Sequence, residues 1–167
     1  MLLDADTGAV ENNAAVTSGT GSISVLAASV RQNANITTTG AGSVQVTADS
    51  TIVMADGTAT STVGGGITYL ADGDTQLSQL NAGTSAVNVK STTGSQLDNR
   101  TGEGAGLENI VGGTVTLQAA VDVGSTDDLD VDAATLDARS TVAGRINIAE
   151  TNDLGTNFLQ TADGTID

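Results

Sequence analysis

GSISVLA at Gly21–Ala27, GSVQVTA at Gly42–Ala48 and GGITYLA at Gly65–Ala71 are three versions of one phrase. Each begins on a small residue and then alternates apolar with polar, so that Ile23 and Val25, or Val44 and Val46, point to one side of an extended chain and their neighbours to the other. SAVNVKS at Ser85–Ser91, GTVTLQA at Gly113–Ala119 and GRINIAE at Gly144–Glu150 continue the series. The first apolar residues, Ile23, Val44, Ile67, Val87, Val115 and Ile146, follow one another at about 21, 23, 20, 28 and 31 residues, in the range of solenoid repeats. Leu3 and Ile166 fall about 20 residues outside the first and last of them, so the chain reads as one repeat segment, 1–167, cut from a longer array.

A second apolar group follows each phrase after some ten residues, as at Val30 and Ile36, Ile52 and Met54, Leu77 and Leu80, then Leu97. Short strands separated by turns such as ADG at Ala55–Gly57 and NAG at Asn81–Gly83 make the coil of a parallel β-helix, in which equivalent strands of successive coils pair in register. The expected fold is all-β, with coils of about 20–23 residues and two longer insertions, near Asn99–Leu107 and Val123–Gly144, that bulge from the side. Eight complete or partial coils at about 4.8 Å each give a rod on the order of 35 Å long. An antiparallel sandwich has strands at similar spacing, but its core normally includes aromatic rings and its strands do not restart on one phrase. Disorder is disfavoured because Pro is absent and Val, Ile, Leu and Thr recur in order.

Composition narrows function. The 167 residues hold one Phe, one Tyr and no Trp, Pro, Cys or His. Imidazole bases, thiolate nucleophiles and the ligands preferred by zinc are therefore missing. Five basic residues against 20 acidic ones give a net charge of -15, which argues against nucleic acid and anionic membrane surfaces as partners and favours cations. No run approaches the ~20 apolar residues of a membrane span, and the N-terminus MLLDADTG does not have the pattern of a signal peptide.

The G-[ST]-[IV]-x-[VIL]-x-A phrases resemble the coils of filamentous-haemagglutinin-like exoproteins and related giant repeat proteins of bacterial cell surfaces. STTGSQLDN at Ser91–Asn99 and the stretch from Asp127 to Leu154 look like linking segments of such arrays. The resemblance covers most of the chain and implies an extended right-handed parallel β-helix, export to an extracellular or cell-surface location, and a role in adhesion or in projecting an adhesive tip. It carries over no catalytic residue. The family's N-terminal secretion-guiding module is not seen.

The densest acidic stretch runs from Ser125 to Ala138, where Asp128, Asp130 and Asp132 are expected to project from one face of a strand. Calcium, a hard cation with oxygen ligands, is the one cofactor these carboxylates suggest. The opposing reading is a solvated acidic surface that keeps the rod soluble, and it is favoured because no Gly-centred loop with a closing Glu is present. Asp4 with Asp6 and Asp72 with Asp74 are weaker cases. A polysaccharide-degrading β-helix enzyme would need paired carboxylates and rings for sugar stacking, and Tyr69 and Phe158 are the only rings. A regular Thr-x-Thr face of the kind that binds ice is absent. The expectation is a non-enzymatic shaft whose partners are neighbouring repeats of the same protein, with end-to-end self-association through unpaired edges. The alternative is a calcium-dependent adhesive module that binds a surface glycan or host protein.

Overall fold

A computed structural model describes residues 1–102, 106–151 and 154–167, with the backbone alone at 156 and 157. The described residues form strands, turns and bends without a helix, stacked as a parallel β-solenoid of about 7 turns. The first coil comprises β1 (Leu2–Asp4), β2 (Ala9–Asn12) and β3 (Val16–Ser18). The second has β4 (Ile23–Ala27), β5 (Ser29–Gln32) and β6 (Ile36–Thr38), and the third β7 (Val44–Ala48), β8 (Ile52–Met54) and β9 (Ala59–Thr62). The fourth has β10 (Ile67–Ala71), β11 (Thr75–Leu77) and β12 (Gln79–Asn81). There follow β13 (Ala86–Ser91), β14 (Gln96–Asp98), β15 (Ile110–Ala119), β16 (Leu129–Ser140), β17 (Ile148–Glu150) and β18 (Gly155–Thr161).

These strands form three faces. The first runs β1-β4-β7-β10-β13-β15-β16-β18, all parallel, and it aligns Leu3, Val25, Val46, Tyr69, Val89, Leu117, Ala138 and Leu159. The second runs β2-β5-β8-β11-β14 and is extended by single bridges from Gln96 through Val123 and Ile146 to Ile166. The third runs β3-β6-β9-β12 and joins the first halves of β15 and β16 and then β17. The long strands β15 and β16 turn a corner and serve two faces each.

The interior is narrow. Ile23, Val44, Ile67, Val87, Val115 and Leu136 stack along it, with Ile52, Leu80, Ile110 and Val131 from the other faces, all at most 1% exposed. Branched and small side chains fill most of such a space at high density, with Tyr69 the ring among them. Corner carbonyls are satisfied from within: Thr38 Oγ1 donates to Gly42 O at 2.7 Å, Ser91 Oγ to Ser95 O at 3.1 Å and Ser140 Oγ to Ala143 O at 2.9 Å. These hydroxyls are buried because the turns need them.

The structure also explains why the repeated phrase opens on glycine. The register places Gly21, Gly42 and Gly65 one above another at the corner entering the first face. A Cβ on Gly42 would overlap the backbone of Gly21, and one on Gly65 the backbone of Gly42. Successive coils touch there main chain to main chain.

Four expectations need correction. Val123–Gly144 is not an insertion, because Ala133–Ser140 pairs with Gly112–Ala119 and Leu136 lies opposite Val115, an ordinary coil later. GRINIAE is not the sixth copy of the phrase: Ile146 bridges Val123 and Ile166 on the second face, and Ile148–Glu150 pairs with Leu129–Val131 on the third. The stretches expected to be linkers, Ser91–Asn99 and Asp127–Leu154, are coils, though residues 152–153 lie outside the described ones. At the N-terminal end Leu3 stands opposite Val25 rather than Ile23.

The segment between β14 and β15 is a true insertion, of which residues 103–105 lie outside the described ones. Its described start folds back along the rod. Asn99 Nδ2 donates to Met54 O at 2.7 Å, and Thr101 donates from its amide at 3.0 Å and its hydroxyl at 2.5 Å to the Asp56 carboxylate. The Thr101 hydroxyl, then its amide, hold the Asp56 carboxyl below its ordinary value of 3.8. A depressed carboxyl contributes order above its unfolded pKa and loses it as pH falls through the folded one. Asp56→Ala is therefore expected to speed amide exchange at Thr101 relative to the unaltered chain at the same pH, while the melting of the rod stays unchanged.

Candidate functional site

The acidic stretch does not assemble as the sequence suggests. β16 begins at Leu129, so Asp128 lies outside the strand, while Asp130 and Asp132 share its outward side. Asp130 is buried, at 7% exposure, and its amide donates to Asn109 Oδ1 at 2.9 Å. Asn109 in turn donates to Asp98 Oδ1 at 2.5 Å and Ser78 O at 3.2 Å, tying the foot of the insertion to β16. Among the described residues no three carboxylates are placed to hold a metal ion together. A calcium site at 100-fold excess over its Kd would add about 2.7 kcal/mol; the expected outcome of melting with millimolar calcium is instead an unchanged midpoint, and a rise that Asp128→Asn with Asp132→Asn abolishes would identify that region as ligand.

The weaker acidic pairs, by contrast, are solvent-facing. Asp4, Asp6, Asp72 and Asp74 are exposed, and Asp74 Oδ1 accepts the Ser95 amide at 2.8 Å as a turn contact. Tyr69, one of the two rings, lies fully buried in the core and cannot stack on a ligand.

What sequence reasoning missed is the outer surface of the first face, because it depends on register. Two columns of outward side chains run its length. One reads Leu2, Ser24, Gln45, Thr68, Asn88, Thr116, Asp137, Phe158. The other reads Asp4, Leu26, Thr47, Leu70, Lys90, Gln118, Arg139, Gln160. In a chain of net charge -15, this surface carries two acids and two bases and is otherwise amide, hydroxyl and isolated apolar groups. The Arg139 guanidinium lies over the Phe158 ring, 4.5 Å from its centroid, and Gln118, Arg139 and Gln160 line a shallow groove with Ser140 and Thr141.

Comparison with protein-family models, curated protein sequences and solved structures returns no match to this chain. Among the described residues no helix is long and apolar enough to cross a membrane. The class defined by the fold is the parallel β-solenoid.

Proposed function

We propose that this chain is a shaft module of a secreted or cell-surface bacterial repeat protein, a stiff spacer that supports adhesion or fibre formation. One observation carries the reading: parallel pairing on the first face continues in register from Leu2–Asp4 to Gly155–Thr161, with one irregularity between Leu136 and Asp137. Backbone hydrogen bonds along the axis then link each coil to the next, and resistance to bending and stretching follows from the stack. Exposed acids on the turns fit a rod that must not aggregate sideways. The resemblance of the repeated phrase to exoprotein coils supports the surface location, and neighbouring repeats are the partners such a module requires.

Stretching a single chain between Met1 and Asp167 tests the mechanical role. A shaft lengthens under load in steps of one coil, about 70 Å of contour for 21 residues. Smooth extension at negligible force would overturn the reading.

A further inference from the structure

Three of the five basic residues are committed within the rod. Arg31 Nε stands 4.0 Å from Glu11 Oε1, Arg100 Nη1 donates to Glu108 O at 2.9 Å, and Arg145 Nη1 to Ser125 O at 3.5 Å. Lys90 and Arg139 are different: both are exposed, and among the described residues neither makes an ion pair or a side-chain hydrogen bond, although the Arg139 guanidinium rests on the Phe158 ring. They stand in one column of the first face, with Gln118 directly between them and Gln160 next in line. Two strand spacings separate them, about 10 Å. Asn88 and Thr116 flank Lys90 and Gln118 in the parallel column, and Phe158 offers a ring beside Arg139.

We propose that this strip, from Lys90 to Gln160, binds a linear polysaccharide that carries a carboxylate on alternate sugars. The charge spacing selects the polymer. Duplex nucleic acid presents a negative charge every 1.7 Å or so, and a densely sulfated glycan is similarly crowded; a rod of charge -15 repels both over the screening length while offering them only two cations. A sparsely charged chain meets Lys90 and Arg139 with successive carboxylates and lays its hydroxyls along the amides of Gln118 and Gln160. Asp137, half-buried in the parallel column, accepts hydroxyl protons and repels carboxylates, which holds the acid groups to the Lys90–Arg139 side. The Phe158 ring, with Arg139 over one face, holds that guanidinium in place at the end of the strip.

The test is calorimetric titration of the full chain with a polymer alternating glucuronate and N-acetylglucosamine, alongside neutral dextran and heparin. Binding to the alternating polymer, weaker in salt and roughly tenfold weaker in the double variant Lys90→Gln, Arg139→Gln, is the expected result. Circular dichroism checks that the variant keeps the wild-type fold, and its unchanged stretching steps would leave the shaft role standing apart from this one. Absence of binding, equal binding of dextran, preference for heparin, or indifference to the double variant would each overturn the proposal. So would concentration-dependent self-association in sedimentation that the double variant abolishes, since the strip would then be a contact between copies.

Discussion

Gly65→Ala is expected to destabilise the protein by about 3 kcal/mol, the upper end of what overpacking costs, and to lower the melting midpoint by roughly 10 °C in a chain of this length. The added methyl would enter the space held by the carbonyl of Gly42, and that carbonyl belongs to the backbone of the preceding coil. A flexible side chain could swing away from such an intrusion. A backbone group fixed in the ladder cannot move without shifting β7 and β10, whose register Ile67–Val44 to Ala71–Ala48 begins two residues later. Gly19→Ala is the matched control, since a Cβ there meets nothing within 4 Å, and it should be neutral or slightly stabilising through the unfolded chain. Equal midpoints for the two variants would show that the glycine column is not a close-contact seam.

That column shows how far the sequence could be read. The glycines, the alternation and the step of about 21 residues were visible at Gly21–Ala27, Gly42–Ala48 and Gly65–Ala71, and they were enough to define the parallel stack. The seventh rung of the first face was not, because Ala134–Ser140 opens on alanine and has Leu136 as its one large apolar inward residue, followed by Ala138 and Ser140. GRINIAE supplied a false substitute, since any two-faced strand has the same alternation whichever face of the solenoid it joins. The third face was harder still: β9 reads ATST, and its inward Thr60 is polar, so no apolar period marks it. In the acidic stretch strand alternation puts Asp130 and Asp132 on one side, whereas the burial of Asp130 depends on Asn109 and the insertion packed beside it. Lys90 and Arg139 lie 49 positions apart and meet only through the register of three strands.

Tyr69→Ala should cost still more, about 3–5 kcal/mol for the lost ring alone, and Tyr69→Phe about 1–3 kcal/mol. The ring fills the first-face column between Val46 and Val89 and is 0% exposed. Its hydroxyl closes a cycle of hydrogen bonds in the core: Tyr69 donates to Gln32 Oε1 at 2.6 Å, Gln32 Nε2 to Thr60 Oγ1 at 3.1 Å, and Thr60 back to the Tyr69 oxygen at 2.6 Å. The phenylalanine variant keeps the packing and strips the buried Gln32 oxygen of a short partner, so its deficit measures the cycle rather than the ring. The same residue gives a pH signature. Burial pushes the Tyr69 hydroxyl well above its ordinary 10.0, against a smaller opposing effect of the hydrogen bond to Thr60. A raised pKa means that the folded state holds its proton longer than the unfolded chain, so the stabilisation is complete below pH 10.0 and declines as pH climbs from there towards the folded value. With one tyrosine in the chain, phenolate absorbance reports this site alone. It should stay flat past the ordinary value and then rise together with the loss of the β spectrum, whereas a rise near pH 10 with the β spectrum intact would mean that the hydroxyl reaches solvent and the cycle with Gln32 and Thr60 does not hold.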